Sequence, residues 1–345
     1  MDMRASAALR RVAPGDPFRV AVGNRAYLAG SAHRAFPESI PDAGESIPVL
    51  QAEGGRGAEL ASAVRSAVDD TLPEYGGVVL RGLGLAAKED FEALMRGLGY
   101  ERFGYTGGIA VRRGGSGFVL DASDEDARIT LSPHNEMSYL PDHPRRVFFF
   151  CATAASAGGE VPVNDVRETA RIIPGEVLAE FRSRGVMYHR NLPRESGRGQ
   201  RGWMDTFGTG DRDAVARRLE SSGYRCRWVG DRLQYSYVHG AFTVHEETAE
   251  ELWFNQVTEL HCSYWRSHPD FAGDLPDHAY PATTAYGDGG GIDEDLVSFL
   301  RGALWRTARA VRMRRGDVLA LDNRVVQHGR FAFEGEREHF VALTR

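Results

Sequence analysis

The sequence predicts an α+β fold that is mainly β, and three observations carry that reading. Forty glycines are scattered through short turns instead of one tract, which punctuates a chain into many short strands. A helix, a buried strand and a second helix stand near the start, an α element laid on a sheet. From Gly104 onward strand-like runs dominate.

In order, residues 1–56 lack sustained periodicity and are broken by Pro14, Pro17, Pro37, Pro41 and Pro48. They read as an irregular lead-in wrapping a domain, with a short strand at Phe18–Val22. Glu59–Val68 carries apolar residues at helical spacing, and Gly76–Leu80 is a buried strand ended by Arg81-Gly82. The second helix, Lys88–Leu98, has Glu89 and Asp90 in its first turn, where carboxylates suit the helix dipole. Val111–Leu120 holds Gly114-Gly115, a hairpin turn, and Arg146–Thr153 is a bulky apolar strand. Gly158–Asp165 is a turn into a short strand. Residues 165–220 read as helix and loop, a lid-like insertion between halves of a sheet. Strand signals return at Tyr224–Trp228, Leu233–Val238 and Leu252–Val257. A helix over Glu294–Ala308 then precedes Val311–Met313, the turn Arg315-Gly316-Asp317, and strands Val318–Leu321 and Glu338–Leu343. No linker with a composition shift divides the 345 residues, so one domain, 1–345, is expected.

Composition narrows the function. Hydrophobic content of 42% and charged content of 26% are ordinary for a globular protein. A formal charge of -6 argues against nucleic-acid or membrane-surface partners. The longest apolar run, Val147–Ala155, is too short to span a bilayer. Met1–Arg11 has no apolar core of signal-peptide length, which points to the cytoplasm. Three cysteines, Cys151, Cys226 and Cys262, cannot all pair and form no C-x-x-C motif, as expected of free thiols in a reducing compartment.

The chemistry concentrates in Leu131-Ser-Pro-His134-Asn-Glu136-Met-Ser-Tyr139. A histidine and a carboxylate two residues apart on extended chain point to one face, which suits a metal ion. Two ligands are too few, and His328, shortly after the strand ending at Leu321, is the candidate third. Two histidines and one carboxylate on one face, with positions left open, is the iron(II) arrangement of non-haem oxygenases. His239, His245 and His261 form a weaker rival set with His328. Gly287–Gly291 lacks the Lys-Ser/Thr and the strand–loop–helix setting of a phosphate loop and reads as a turn.

Several separated stretches stand together in a familiar order: His134–Tyr139, Gly158-Gly-Glu160, Trp253-Phe-Asn-Gln256, Tyr286-Gly-Asp288, Arg315-Gly-Asp317, Leu321-Asp-Asn323 and His328-Gly-Arg330. Over roughly residues 75–345 the chain resembles the taurine dioxygenase-like (TauD/TfdA) family, and most the SyrP-like hydroxylase branch of natural-product pathways. The resemblance implies a double-stranded β-helix (jelly-roll) with flanking helices, using Fe(II), 2-oxoglutarate and O2. It places His134, Glu136 and His328 on the metal. Arg337 takes the place of the arginine that clamps the distal carboxylate of 2-oxoglutarate, a task a guanidinium fork performs bidentately. Arg330 is a second candidate for co-substrate or substrate. Tyr105, Asn135, Tyr139 and Asn255 are candidate substrate residues. Asn255 and Gln256 are expected on a core strand.

Two departures bear on the chemistry. Where many relatives carry Thr after Gly-Gly-Glu/Asp, this chain has Val161, which donates no hydrogen bond. Glu136 fills the position that halogenating relatives vacate, so oxygen insertion is favoured over halogenation. The expected reaction is hydroxylation, in antibiotic-type biosynthesis, of an amino acid or amino-acid-derived small molecule, free or carrier-protein-bound. Arg194, Arg198 and Arg201 are candidates for attracting an anionic substrate or carrier. Desaturation or cyclisation, a metal enzyme without 2-oxoglutarate, and a non-catalytic binding module are the alternatives. Substrate identity and oligomeric state are not legible.

Overall fold

The computed structural model describes residues 8–110, 117–197, 199–271 and 275–345. The turn expected at Gly114-Gly115, the basic residue Arg198 and the first seven residues lie outside that set. The largest sheet has seven strands, in the order Leu9–Val12, Val49–Ala52, Gly77–Arg81, Val318–Asp322, Arg146–Thr153, Glu338–Thr344 and Val119–Asp121. Val49–Ala52 runs parallel to Gly77–Arg81; the other pairings are antiparallel.

Both faces of this sheet are apolar, and strand alternation divides them. Phe148, Phe150, Val318, Ala320, Phe340 and Ala342 point to one side. There they meet helix Gly57–Tyr75 through Val64, Val68 and Leu72, and helix Lys88–Leu98 through Phe91, Leu94 and Met95. Val147, Phe149, Leu319, Leu321, Val341 and Leu343 point to the other side, into the larger core. A period of two thus puts consecutive residues of one strand into two different cores. That is why Arg146–Thr153 reads as an unbroken apolar run.

A second sheet runs Arg309–Val311, Val161–Asp165, Val326–Arg330, Leu131–His134. Its Val161, Val163, Val311 and Val326 enter the larger core with the inner face of the first sheet. A third is ordered Arg225–Val229, Arg232–His239, Val186–Leu192, Ala282–Tyr286. No helix of the described residues is long and apolar enough to cross a membrane.

The structure corrects several boundaries. The first helix runs to Tyr75, through Pro73, because Leu72 extends its apolar stripe one turn past Val68. Gly76, at φ 68°, then closes it by donating to the Leu72 carbonyl. Within the supposedly irregular lead-in, Leu9–Val12 and Val49–Ala52 pair with each other and extend the large sheet. The segment 165–220 contains helices at Val166–Ile172, Gly175–Arg184, Trp203–Phe207 and Arg212–Ser221, but also strand Val186–Leu192. The strand expected over Leu252–Val257 stops at Trp253, so Asn255 and Gln256 lie beyond it.

At the end of strand Val318–Asp322, the Asp322 carboxylate accepts from His245 Nε2 at 3.1 Å and from Arg324 Nη2 at 2.9 Å. Burial, the largest influence, pushes its pKa up, but these donors outweigh it and bring the pKa down to about 2. Because the folded value lies below the ~3.9 of an unperturbed aspartate, Asp322 contributes stability above pH ~4. That contribution is lost as pH falls through the folded value. Urea unfolding of wild type and Asp322→Asn at several pH values is expected to show a stability gap near neutrality that narrows from pH 4 towards 2. A gap independent of pH would show that the charge is not what matters.

Candidate metal centre

Three side chains converge on the second sheet. Strand Leu131–His134 and strand Val326–Arg330 pair antiparallel with His134 directly opposite His328. Directly opposed residues bring their side chains together, and the two imidazole centroids lie 4.8 Å apart. His328 follows strand Val318–Asp322 shortly, as the sequence suggested, and sits inside the next strand. The pairing is irregular between His328 and Arg330. Gly329 permits it, since a Cβ there would stand 2.3 Å from the Leu131 carbonyl oxygen.

Glu136 arrives by a different route from the one expected. The strand ends at His134, and the chain turns, with Met137 held at φ 59°. The turn, and not the alternation of an extended strand, brings the carboxylate round. Glu136 Oε2 lies 3.6 Å from His328 Nε2, too far for a hydrogen bond. One ligand atom from each of His134, Glu136 and His328 can be chosen so that all lie within 4.8 Å.

The donor set fits a metal ion. His134 Nδ1 donates to the Ser132 carbonyl at 2.9 Å, which leaves Nε2 with its lone pair. Burial and the neighbouring His328 lower the His134 pKa, favouring the neutral imidazole a metal requires. His328 and Glu136 are 4% and 5% exposed, so their donor atoms are shielded from bulk water. Among the described residues no other group of three or more His, Cys, Asp or Glu converges in this way. Two of the three rival histidines are occupied elsewhere: His245 pairs with Asp322, and His261 Nδ1 accepts from the Ser263 N–H.

The turn is held from the far end of the chain by Asn323, which is fully buried. Its Oδ1 accepts from the Glu136 N–H at 2.6 Å, and its Nδ2 donates to the Glu136 carbonyl at 3.0 Å and the Pro144 carbonyl at 2.8 Å. Its own carbonyl accepts from Asn135 Nδ2 at 2.5 Å. Asn323 lies five positions before His328, so one short segment positions both the turn and the opposing imidazole. The sequence displayed this residue in Leu321-Asp-Asn323 without disclosing the role.

The three side chains line a cavity of about 680 Å³. Tyr105, Tyr139, Arg330 and Arg337 line it too, as expected, and so does Val161. Arg337, just before strand Glu338–Thr344, donates to the Gly159 carbonyl at 3.3 Å and contacts His339 Nδ1 at 3.0 Å. It makes no ion pair with a carboxylate among the described residues, and burial, then Arg330, lowers its pKa to about 10. Glu334 and Glu336 beside it in sequence do not neutralise it. Arg330 is more committed. Its Nη1 donates to the Glu125 carbonyl and its Nη2 to the Asp126 and Ile129 carbonyls, bracing that loop.

Two candidate substrate residues are corrected. Asn135 and Asn255 are not in the cavity wall. Asn135 is turned inward to Asn323, and the Asn255 amide donates to the Ala241 carbonyl at 3.0 Å while its Oδ1 accepts from the Val257 N–H. Both serve backbone, the commoner fate of a buried amide. Gln256 does line the cavity, and it donates to the Asn135 carbonyl at 2.7 Å. Arg201 is likewise spent on backbone, at the Gly108 and Asp205 carbonyls.

Against known proteins, the family model described as taurine catabolism dioxygenase TauD, TfdA family matches residues 43–344. Dapdiamide synthesis protein DdaC of Enterobacter agglomerans is 29% identical over 279 residues, 80% of this chain and 84% of that protein. A clavaminate synthase-like protein of Arabidopsis thaliana is 26% identical over 320 residues, 90% of this chain and 94% of its own. Among solved structures, PvcB of Pseudomonas aeruginosa superposes with a TM-score of 0.49 at 16% identity, covering 86% of this chain and 84% of that one.

Asn323→Ala is expected to weaken metal binding by ~10- to 100-fold, the usual effect of removing a group that orients ligands. Cobalt(II) titration beside far-ultraviolet circular dichroism checks this. Unchanged affinity in a folded variant would remove Asn323 from the centre.

Proposed function

The chain belongs to the taurine catabolism dioxygenase TauD, TfdA family of iron(II)- and 2-oxoglutarate-dependent enzymes, and from that premise we propose how its own residues divide the work. His134, Glu136 and His328 hold the iron, and the observation that carries this is their convergence on one cavity wall. Bound there, iron(II) would activate O2 for oxidation of the substrate, with 2-oxoglutarate as the two-electron reductant that leaves as succinate and carbon dioxide.

The protein supplies position and enclosure. Arg337 binds the distal carboxylate of 2-oxoglutarate, supported by its place in the wall and its lack of an internal carboxylate partner. Val161, buried in the same wall, offers no hydroxyl to share that task, so the guanidinium bears more of it. Phe149, whose ring centroid lies 4.8 Å from that of His328, closes one side with apolar surface and limits water.

The finer reading is hydroxylation of an amino acid or amino-acid-derived small molecule, free or carrier-bound, in a biosynthetic pathway. The relative named for dapdiamide synthesis supports the biosynthetic setting. Two sheets sharing one core support a jelly-roll. Ser196, Gly197 and Gly199 in the cavity wall support a lid role for the 165–220 segment that contains them. The whole chain acts as one domain.

Anaerobic addition of iron(II) and 2-oxoglutarate is expected to produce a visible charge-transfer band in wild type and none in His134→Ala. Succinate release in that variant falls by at least ~100-fold; normal turnover would overturn the ligand assignment. Arg337→Gln is expected to keep its iron but to raise the 2-oxoglutarate concentration for half-maximal turnover by ~30-fold or more, the effect of losing a buried charge pair. An unchanged requirement would transfer the clamp to another residue.

A further inference from the structure

Of the carboxylates in the cavity wall that neither the metal nor the co-substrate uses, Glu259 stands beside the metal ligands in the lining and is buried. Glu259 follows strand Glu251–Trp253 in a turn, is 9% exposed, and lines the cavity with Glu136 and His134. Its Oε1 accepts from the Thr258 hydroxyl at 2.6 Å, which fixes the orientation of the group. No basic side chain stands within ion-pair distance of it among the described residues. The nearest rival, Arg301, is 1% exposed and donates instead to neutral oxygens, the Thr258 carbonyl and Ser263 Oγ. Burial, the largest influence, raises the Glu259 pKa, while the Thr258 hydroxyl and the more distant charge of Arg301 work against it.

The surrounding wall has the character of a cation receptor. Tyr264 and Trp265 line the cavity beside it, and aromatic faces attract ammonium groups. The cavity's own cations are committed elsewhere: Arg330 through its terminal nitrogens to backbone carbonyls, and Arg337, on the reading above, to 2-oxoglutarate. Asp270 adds a further carboxylate at the exposed side. An anionic group placed here would meet like charge, whereas a protonated amine would find a desolvated carboxylate and π faces together.

We propose that Glu259 is the receptor for a protonated amine of the substrate, so that the enzyme selects molecules carrying an ammonium group near the metal. This rests on the iron- and 2-oxoglutarate-binding roles assigned above. It narrows the substrate class to amine-bearing compounds, whether free amino acids or their carboxyl-conjugated forms.

The test uses the iron- and 2-oxoglutarate-loaded protein, without oxygen, titrated with amino-acid amides and their N-acetylated counterparts. Leucinamide, lysinamide, asparagine amide and phenylalaninamide serve as probes. Each pair differs in the ammonium charge and lacks a free carboxylate. At least one amide is expected to bind wild type 10-fold or more tightly than its acetylated twin, and Glu259→Gln to abolish that preference while keeping the charge-transfer band. No preference in wild type for any pair, or a preference that survives in Glu259→Gln, overturns the proposal. If Glu259→Gln does not fold, Glu259→Asp carries the test. It retains the charge one methylene short, so a preference reduced several-fold is expected and an undiminished one overturns the assignment. Absence of the band in wild type would instead overturn the co-substrate reading, a separate result.

Discussion

Asn323 closes a hydrogen-bonded ring around a turn nearly two hundred residues away in sequence. Its side chain takes the N–H and carbonyl of Glu136 as a neighbouring strand would, although no strand runs there. A buried amide has few ways to satisfy both ends, and each alternative here leaves polar groups of the 134–137 turn without partners. Geometry at the centre is therefore set by backbone hydrogen bonding before any ion is present. The two imidazoles face each other through strand register, and the carboxylate is delivered by a clamped turn.

The same economy runs through the cavity wall. Most charged groups near it are already employed: Arg330 on three carbonyls, Glu125 with His268, Asp126 with Arg128. Groups so committed brace loops and contribute little net field. Arg337 and Glu259 differ because, among the described residues, neither has an oppositely charged partner at ion-pair distance. Buried charges without internal compensation are where binding energy for a charged ligand is available.

Much of this was legible in the sequence, and the losses have physical causes. His134, Glu136 and His328 stand out because their side chains are the chemistry, and motif order linked them. Arg146–Thr153 was legible because its six central residues, Val147–Ala152, are an unbroken apolar run with three adjacent phenylalanines, which has little alternative to a doubly buried strand. The strand Val186–Leu192 was not, since Met-Tyr-His-Arg-Asn mixes polar and apolar residues whose alternation is set by neighbours supplied much later in the chain. The turn through Met137 was hidden for a related reason: a non-glycine residue at positive φ costs energy locally and is sustained only by tertiary contacts. Asn135, Asn255 and Glu259 show the limit most plainly. Nothing in a residue type says whether a polar side chain faces a cavity or a carbonyl, and here the two amides faced carbonyls while the unremarked carboxylate faced the cavity.

The pairing of His134 with His328 also has a consequence in time. A ribosome releases the chain from its N-terminus, and domains fold as their parts emerge. The turn bearing Glu136 is made early, but its clamp and its opposing imidazole are made nearly two hundred residues later, and the strand Glu338–Thr344 that joins Arg146–Thr153 to Val119–Asp121 in the large sheet comes later still. A growing chain therefore passes through most of its synthesis without a place for iron. On the proposed ligand set, metal can be captured only once His328 has emerged, and a chain that stops short of it would carry His134 and Glu136 without the imidazole that opposes them.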